Sequence, residues 1–120
     1  MTLQELYDAI GGDYDDVIKR LRNEQVVKKY VLKFLDDITF DNLVKALREK
    51  NVSEAFRAVH TIKGTCQNLS FGRLEKSSVI LTEVLRAGDL EGAEAPSERV
   101  REDYILTVGA IRTYKEELDK

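Results

Sequence analysis

A single proline, Pro96, interrupts this chain, and along the rest of it apolar residues return every three or four positions. That spacing is the period of a helix face, and a chain almost free of proline has little to stop helices from propagating. Leu, Glu, Lys, Arg and Ala recur throughout, while runs rich in the strand-favouring Val, Thr, Tyr and Phe are missing. The expectation is an all-α fold. A length of 120 residues suits one domain, 1–120, able to bury a core without metal or disulfide.

The pattern divides into segments. Thr2 can cap a short helix carrying Leu3, Leu6, Tyr7 and Ile10, closed by Gly11 and Gly12. Asp13 can cap a second with Tyr14, Val17, Ile18 and Leu21. A third is expected from about Glu24 to Asp37 with Val27, Tyr30, Val31, Phe34 and Ile38 on its stripe. Asp41 can cap a fourth through about Lys50, and Ser53 with Glu54 marks the start of a fifth. The fifth carries Ala55, Val59, Ile62, Cys66 and Leu69 up to a connection at Ser70 and Phe71. A sixth runs from about Gly72 to Ala87, with Leu74, Ser78, Leu81 and Leu85 on one stripe and Gly88 as its cap. Residues 89–96 read as loop. Pro96 and Ser97 open a last helix with Val100, Tyr104, Val108, Ile111 and Leu118. The three long helices at the C-terminal end, with the helix around residues 26–37, are expected to form an up-down antiparallel four-helix bundle over about 24–119. Short helices within about 2–22 would flank it.

Charge and cysteine content exclude several function classes. The net charge is −3, from 19 basic and 22 acidic residues spread along the chain, with no basic face of the kind that neutralises nucleic-acid phosphates. The lone Cys66 cannot form an internal disulfide, which suits a reducing compartment. One Cys and one His cannot build a tetrahedral zinc site within a monomer, so no metal is expected. The acidic N-terminus is unlike a signal peptide, and the apolar runs are too short to span a membrane. A cytoplasmic location is the expectation.

The chemistry centres on the only histidine, His60, in the stretch RAVHTIKGTCQNLSFG. On a helix the stripe Ala55, Val59, Ile62, Cys66 and Leu69 falls within roughly 80° of arc, which marks the buried seam. His60 falls well outside it, and Lys63, Gly64 and Gln67 share its face at i+3, i+4 and i+7. Phe56, at i−4, sits on the core-ward edge of that face. A glycine in a helix interior costs about 1 kcal/mol relative to alanine. Beside an exposed histidine, Gly64 is best explained by something that approaches the imidazole closely. Phosphoryl transfer fits, because a neutral imidazole is a competent nucleophile near pH 7 and the reaction needs positioning and cations more than covalent machinery. Lys63 could supply positive charge, and Gln67 could orient the ring or bond a phosphate oxygen. Without His60, Lys63 and Gln67 would read as a solvated helix face.

Other chemistries fit less well. Cys66 lies in the core seam facing away from His60, so a Cys–His nucleophile fails on geometry, and packing is the expected role of this thiol. The carboxylates of DYDD at 13–16 and of Asp36 and Asp37 lack the loop pattern of a calcium site and read as caps or solvated faces.

The motif HTIKG, followed by Asn68–Leu69 and Arg73–Leu74, resembles the histidine-containing phosphotransfer (HPt) domain family, whose hallmark is H-x-[LI]-K-G on a bundle helix. The similarity extends over FRAVHTIKG, the downstream TEVLRAGDLEGA and the upstream RLRNEQVVKKYVLKFLDD, and so covers most of the chain. The resemblance implies a phosphorelay intermediate. His60 would accept a phosphoryl group on a ring nitrogen from a receiver-domain aspartyl phosphate and pass it to another receiver. It also implies no ATP-binding or hydrolytic site and no cofactor, with Mg²⁺ belonging to the receiver. Response-regulator receivers are the implied partners, with a hybrid histidine kinase as a further one, and a monomer is expected. Lys63 would serve phosphate electrostatics and Gly64 clearance. Phe56, Arg57, Phe71 and the stripe of the first helix are candidates for partner docking, though each can equally be packing. Ser70 departs from the family, many of whose members carry glycine there, which puts the shape of that loop in question. Two alternatives fit these residues less well. A histidine-kinase phosphoacceptor module would place an acidic residue after the histidine and a proline nearby, where this chain has Thr61 and no proline. A receiver-binding scaffold with an unused histidine would have no reason to keep both His60 and Lys63.

Overall fold

Seven α-helices and one 3₁₀ turn make up the computed structural model, which describes residues 1–120, and there is no strand. They are α1 (Leu3–Ile10), α2 (Tyr14–Leu21), α3 (Glu24–Lys33), the 3₁₀ turn (Phe34–Asp36), α4 (Thr39–Arg48), α5 (Val52–Leu69), α6 (Gly72–Arg86) and α7 (Glu94–Leu118). The all-α bundle with short N-terminal helices is as the sequence leads one to expect.

Most helix ends follow local rules. Thr2 and Glu5 form a reciprocal capping box at α1, and Gly11 closes that helix in the left-handed conformation at φ 69°. The side chains of Asp13 and Asn23 accept backbone N–H groups at the starts of α2 and α3. Three boundaries differ from expectation. The Asp37 carboxylate accepts the Thr39 amide, so α4 starts at Thr39 rather than after Asp41. The Asn51 side chain accepts the Glu54 amide, so Asn51 and not Ser53 caps α5. The last helix begins at Glu94, two residues before Pro96, which sits in the first turn where a missing N–H deprives the helix of nothing.

The fourth member of the bundle is α4 and not the helix around residues 26–37. α5 packs along α6 on one side and α4 on the other, α7 completes the bundle against α6, and α3 touches α5 and α7 only locally. The segment at 26–37 is not one helix. It breaks at Phe34, whose ring wedges between Phe71, at 5.3 Å between centroids, and Tyr104, at 5.9 Å. Periodicity also put Tyr30, Ile38 and Leu118 on buried stripes, and all three are exposed.

The short N-terminal helices cover the end of the bundle where α5 turns into α6. Leu3, Leu6, Tyr7 and Ile10 are buried, so this stripe is core and not a docking surface. The Tyr7 hydroxyl donates to the Leu69 carbonyl at 2.8 Å, the Asp13 amide to Ser70 O at 2.9 Å, and the Arg73 amide to Gly11 O at 3.2 Å. Ser70 holds the left-handed conformation, φ 56°, that glycine would adopt freely, and its hydroxyl donates to Asp16 at 2.6 Å. Gly72 answers a different need: a Cβ there would meet the Gly11 carbonyl oxygen at 3.2 Å.

Candidate functional site

The site grows out of the two faces of α5. Ala55, Val59, Ile62, Cys66 and Leu69 are all buried, which anchors the helix and turns the opposite face to solvent. His60 and Gln67 are exposed on that face, and Lys63 and Gly64 are half-buried. Lys63 takes part in no ion pair, so its ammonium is free to meet an incoming anion.

Side chains on a helix lean toward its N-terminus and cover the turn before their own. His60 therefore leans over Phe56, and the two rings stack with centroids 5.7 Å apart and planes 10° from parallel. The residue whose side chain would lean over His60 in the same way is residue 64. It is Gly64, and a Cβ built there meets nothing within 4 Å. The imidazole is thus walled by Phe56 on its N-terminal side and open on its C-terminal side. No packing constraint inside the chain demands glycine at this position.

The other expected residues fall into two groups. Arg57 is exposed beside His60 and pairs with Glu54 at 3.6 Å. Phe56 is half-buried and carries the stack. Phe71, expected as a docking candidate, is core instead: it is only 1% exposed and packs against Tyr7 and Phe34. Cys66 is fully buried, and burial pushes its thiol far above the ordinary range, so no thiolate is available to pair with His60. No three His, Cys, Asp or Glu side chains converge as a metal site would require.

One neighbour was invisible in the sequence. Arg86, at the end of α6, places its guanidinium carbon 4.9 Å from the Phe56 ring centroid. An open depression of about 1040 Å³ brings Phe56, Arg57, His60, Lys50 and Arg86 together. Twenty-six positions separate Arg86 from His60, and only the antiparallel pairing of α5 with α6 joins them.

A family model described as the Hpt domain matches residues 31–118, which includes the whole of this face. The chain belongs to the Hpt family. Searches of curated proteins and of solved structures gave no match. Hpt domains are the histidine phosphotransfer modules of two-component phosphorelays, work with receiver domains, and are not ATP-binding catalysts. The matched stretch starts within α3, so α1 and α2 of this Hpt protein lie outside it. No helix is long and apolar enough to cross a membrane.

Proposed function

We propose that His60 is the phosphoacceptor of a phosphorelay, taking a phosphoryl group from the aspartyl phosphate of one receiver domain and handing it to the aspartate of another. The observation that carries this is the pairing of an exposed imidazole with a neighbouring helix position left empty by Gly64. In the forward step the lone pair of the unprotonated ring nitrogen attacks phosphorus. The P–O bond to the aspartyl carboxyl breaks, and the carboxylate leaves with the electron pair. The second ring nitrogen keeps its proton, giving a phosphoimidazolium that can release it to solvent. Reversal of these steps on a second receiver returns the imidazole.

Lys63, leaning back from i+3, meets the equatorial oxygens as charge spreads over them. Gln67, further along the face, orients the phosphoryl group by hydrogen bonding. Magnesium, in this scheme, arrives with the receiver, which carries the aspartyl phosphate. The chain acts as a monomer that receivers, or the receiver of a hybrid kinase, visit in turn. It works in the cytoplasm, where a single buried thiol stays reduced.

Incubation with a phosphorylated receiver is expected to leave acid-labile, alkali-stable phosphate on the protein. His60→Gln is expected to abolish that label, and label that persists in the variant would rule out His60 as acceptor.

A further inference from the structure

The outer face of α7 carries an apolar patch that nothing in the chain covers. No charged residue stands between Asp103 and Arg112, although the helix is densely charged on either side. Within that window Ile105 is 57% and Leu106 41% exposed, and Gly109 is exposed one turn after Ile105. Glycine weakens a helix interior, and a Cβ at Gly109 would meet nothing within 4 Å, so no contact inside the chain explains it. A protruding isoleucine and a bare stretch of backbone thus form a knob and a hollow one turn apart. At about 100° per residue, Glu102, Ile105, Gly109 and Arg112 fall within about 80° of arc. Glu102 and Arg112 are both exposed, and neither takes part in an ion pair.

We propose that this face pairs weakly with the same face of a second copy, the two α7 helices lying antiparallel about a two-fold axis at Thr107. The order of the residues argues for a copy rather than a different partner. In an isologous pair, residue i meets residue j and residue j meets residue i. Antiparallel helices centred on Thr107 set Ile105 of each copy against Gly109 of the other, because the two positions are equally far from the centre. The same register sets Glu102 opposite Arg112 at both ends of the contact. The face therefore supplies its own knob for its hollow and its own base for its acid. A single helix face covers far less than the roughly 800 Å² per partner of a standard stable complex, so the pairing is transient. α7 lies diagonally across the bundle from α5, and the contact leaves His60 open to a receiver. Each chain keeps a complete transfer site and acts on its own in dilute solution.

Sedimentation equilibrium of the full chain, taken from about 10 μM to about 1 mM, reads the pairing by mass action. The mean mass is expected to rise from 13.7 kDa toward twice that value, with a Kd of about 0.1–1 mM. Ile105→Glu, Glu102→Arg and Arg112→Glu each change an exposed side chain, and each is expected to hold the mass at 13.7 kDa across the range with helicity intact. Glu102→Arg combined with Arg112→Glu should bring the Kd back to within about 3-fold of the wild type. That recovery is the signature of two copies in antiparallel register, because the double reversal rebuilds both charge contacts at once. His60→Gln should pair as the wild type does, which separates this inference from the acceptor assignment. A wild type that stays at 13.7 kDa at the highest concentration overturns the inference and leaves the face to a different partner. A dimer that persists in Ile105→Glu places the contact elsewhere and overturns the role of α7. A double reversal that does not recover overturns the antiparallel register.

Discussion

Two glycines show at the scale of single residues how the site departs from plain helix stability. Gly64 and Gly109 both lie inside helices, and a Cβ at either meets nothing within 4 Å. Alanine at either position should therefore stabilise the protein by about 0.5–1 kcal/mol, read as a higher urea midpoint. The two variants are expected to part company in function. Gly64→Ala, and more strongly Gly64→Gln, should slow phosphoryl uptake from a receiver, while Gly109→Ala leaves it unchanged. Equal rates in all of them would remove the case for clearance at residue 64. The location of this face was legible because a five-residue stripe defines a helix face without any tertiary knowledge, and His60 fell off that stripe. Phe71 was not legible as core, because an aromatic residue in a two-residue connection belongs to no periodic pattern. Arg86 was not legible either, because its nearness to His60 depends on how two helices pair.

At the scale of elements, Ser70 in the turn between α5 and α6 is the most instructive position. It keeps a left-handed backbone without glycine by donating its hydroxyl to Asp16, which in turn ties α2 to the turn. Ser70→Ala keeps the strained backbone and loses the bond, and is expected to cost about 1–2 kcal/mol. Ser70→Gly loses the same bond but relieves about 1 kcal/mol of left-handed strain, so its cost should be small. Identical losses of urea midpoint in the two variants would show that the backbone at this turn is not strained. The sequence left the shape of this loop open because the compensating partner lies 54 positions away. The misplaced starts of α4 and α5 are different: Asp37 and Asn51 each lie within three residues of the amide they accept, and the later candidates Asp41 and Ser53 competed with them in the sequence. The break at Phe34 depends on aromatic partners in α6's approach and in α7, and the fourth bundle helix follows from that break. Local caps such as Thr2 and Asp13 were readable because donor and acceptor are three residues apart.

For the molecule as a whole, the buried acids predict how stability responds to alkali. Burial raises the Cys66 thiol and the Tyr7 phenol in the folded state, in each case chiefly by desolvation. The unfolded chain ionises the same groups near their ordinary values, about 8.5 for a thiol and about 10 for a phenol. Above those values the unfolded state binds fewer protons than the folded one, so stability is complete below about pH 8.5 and declines as pH rises. Urea midpoints should fall between pH 8 and pH 11, and Cys66→Ala should flatten the part of the decline that starts near pH 8.5. A flat profile across that range would mean that these groups are accessible in the folded protein. Tyr7 also bonds the end of α5 to α1, so the alkaline loss reports on the contact that seats the N-terminal helices over the bundle.

The central claim is that a receiver's phosphoryl group arrives on His60, and locating that phosphoryl group tests it most directly. Proton–phosphorus correlation NMR of the protein after incubation with a phosphorylated receiver is expected to link the phosphorus resonance to the ring protons of His60, with no such resonance in His60→Gln. A phosphorus resonance coupled to any other residue, or one that survives in His60→Gln, would contradict the account.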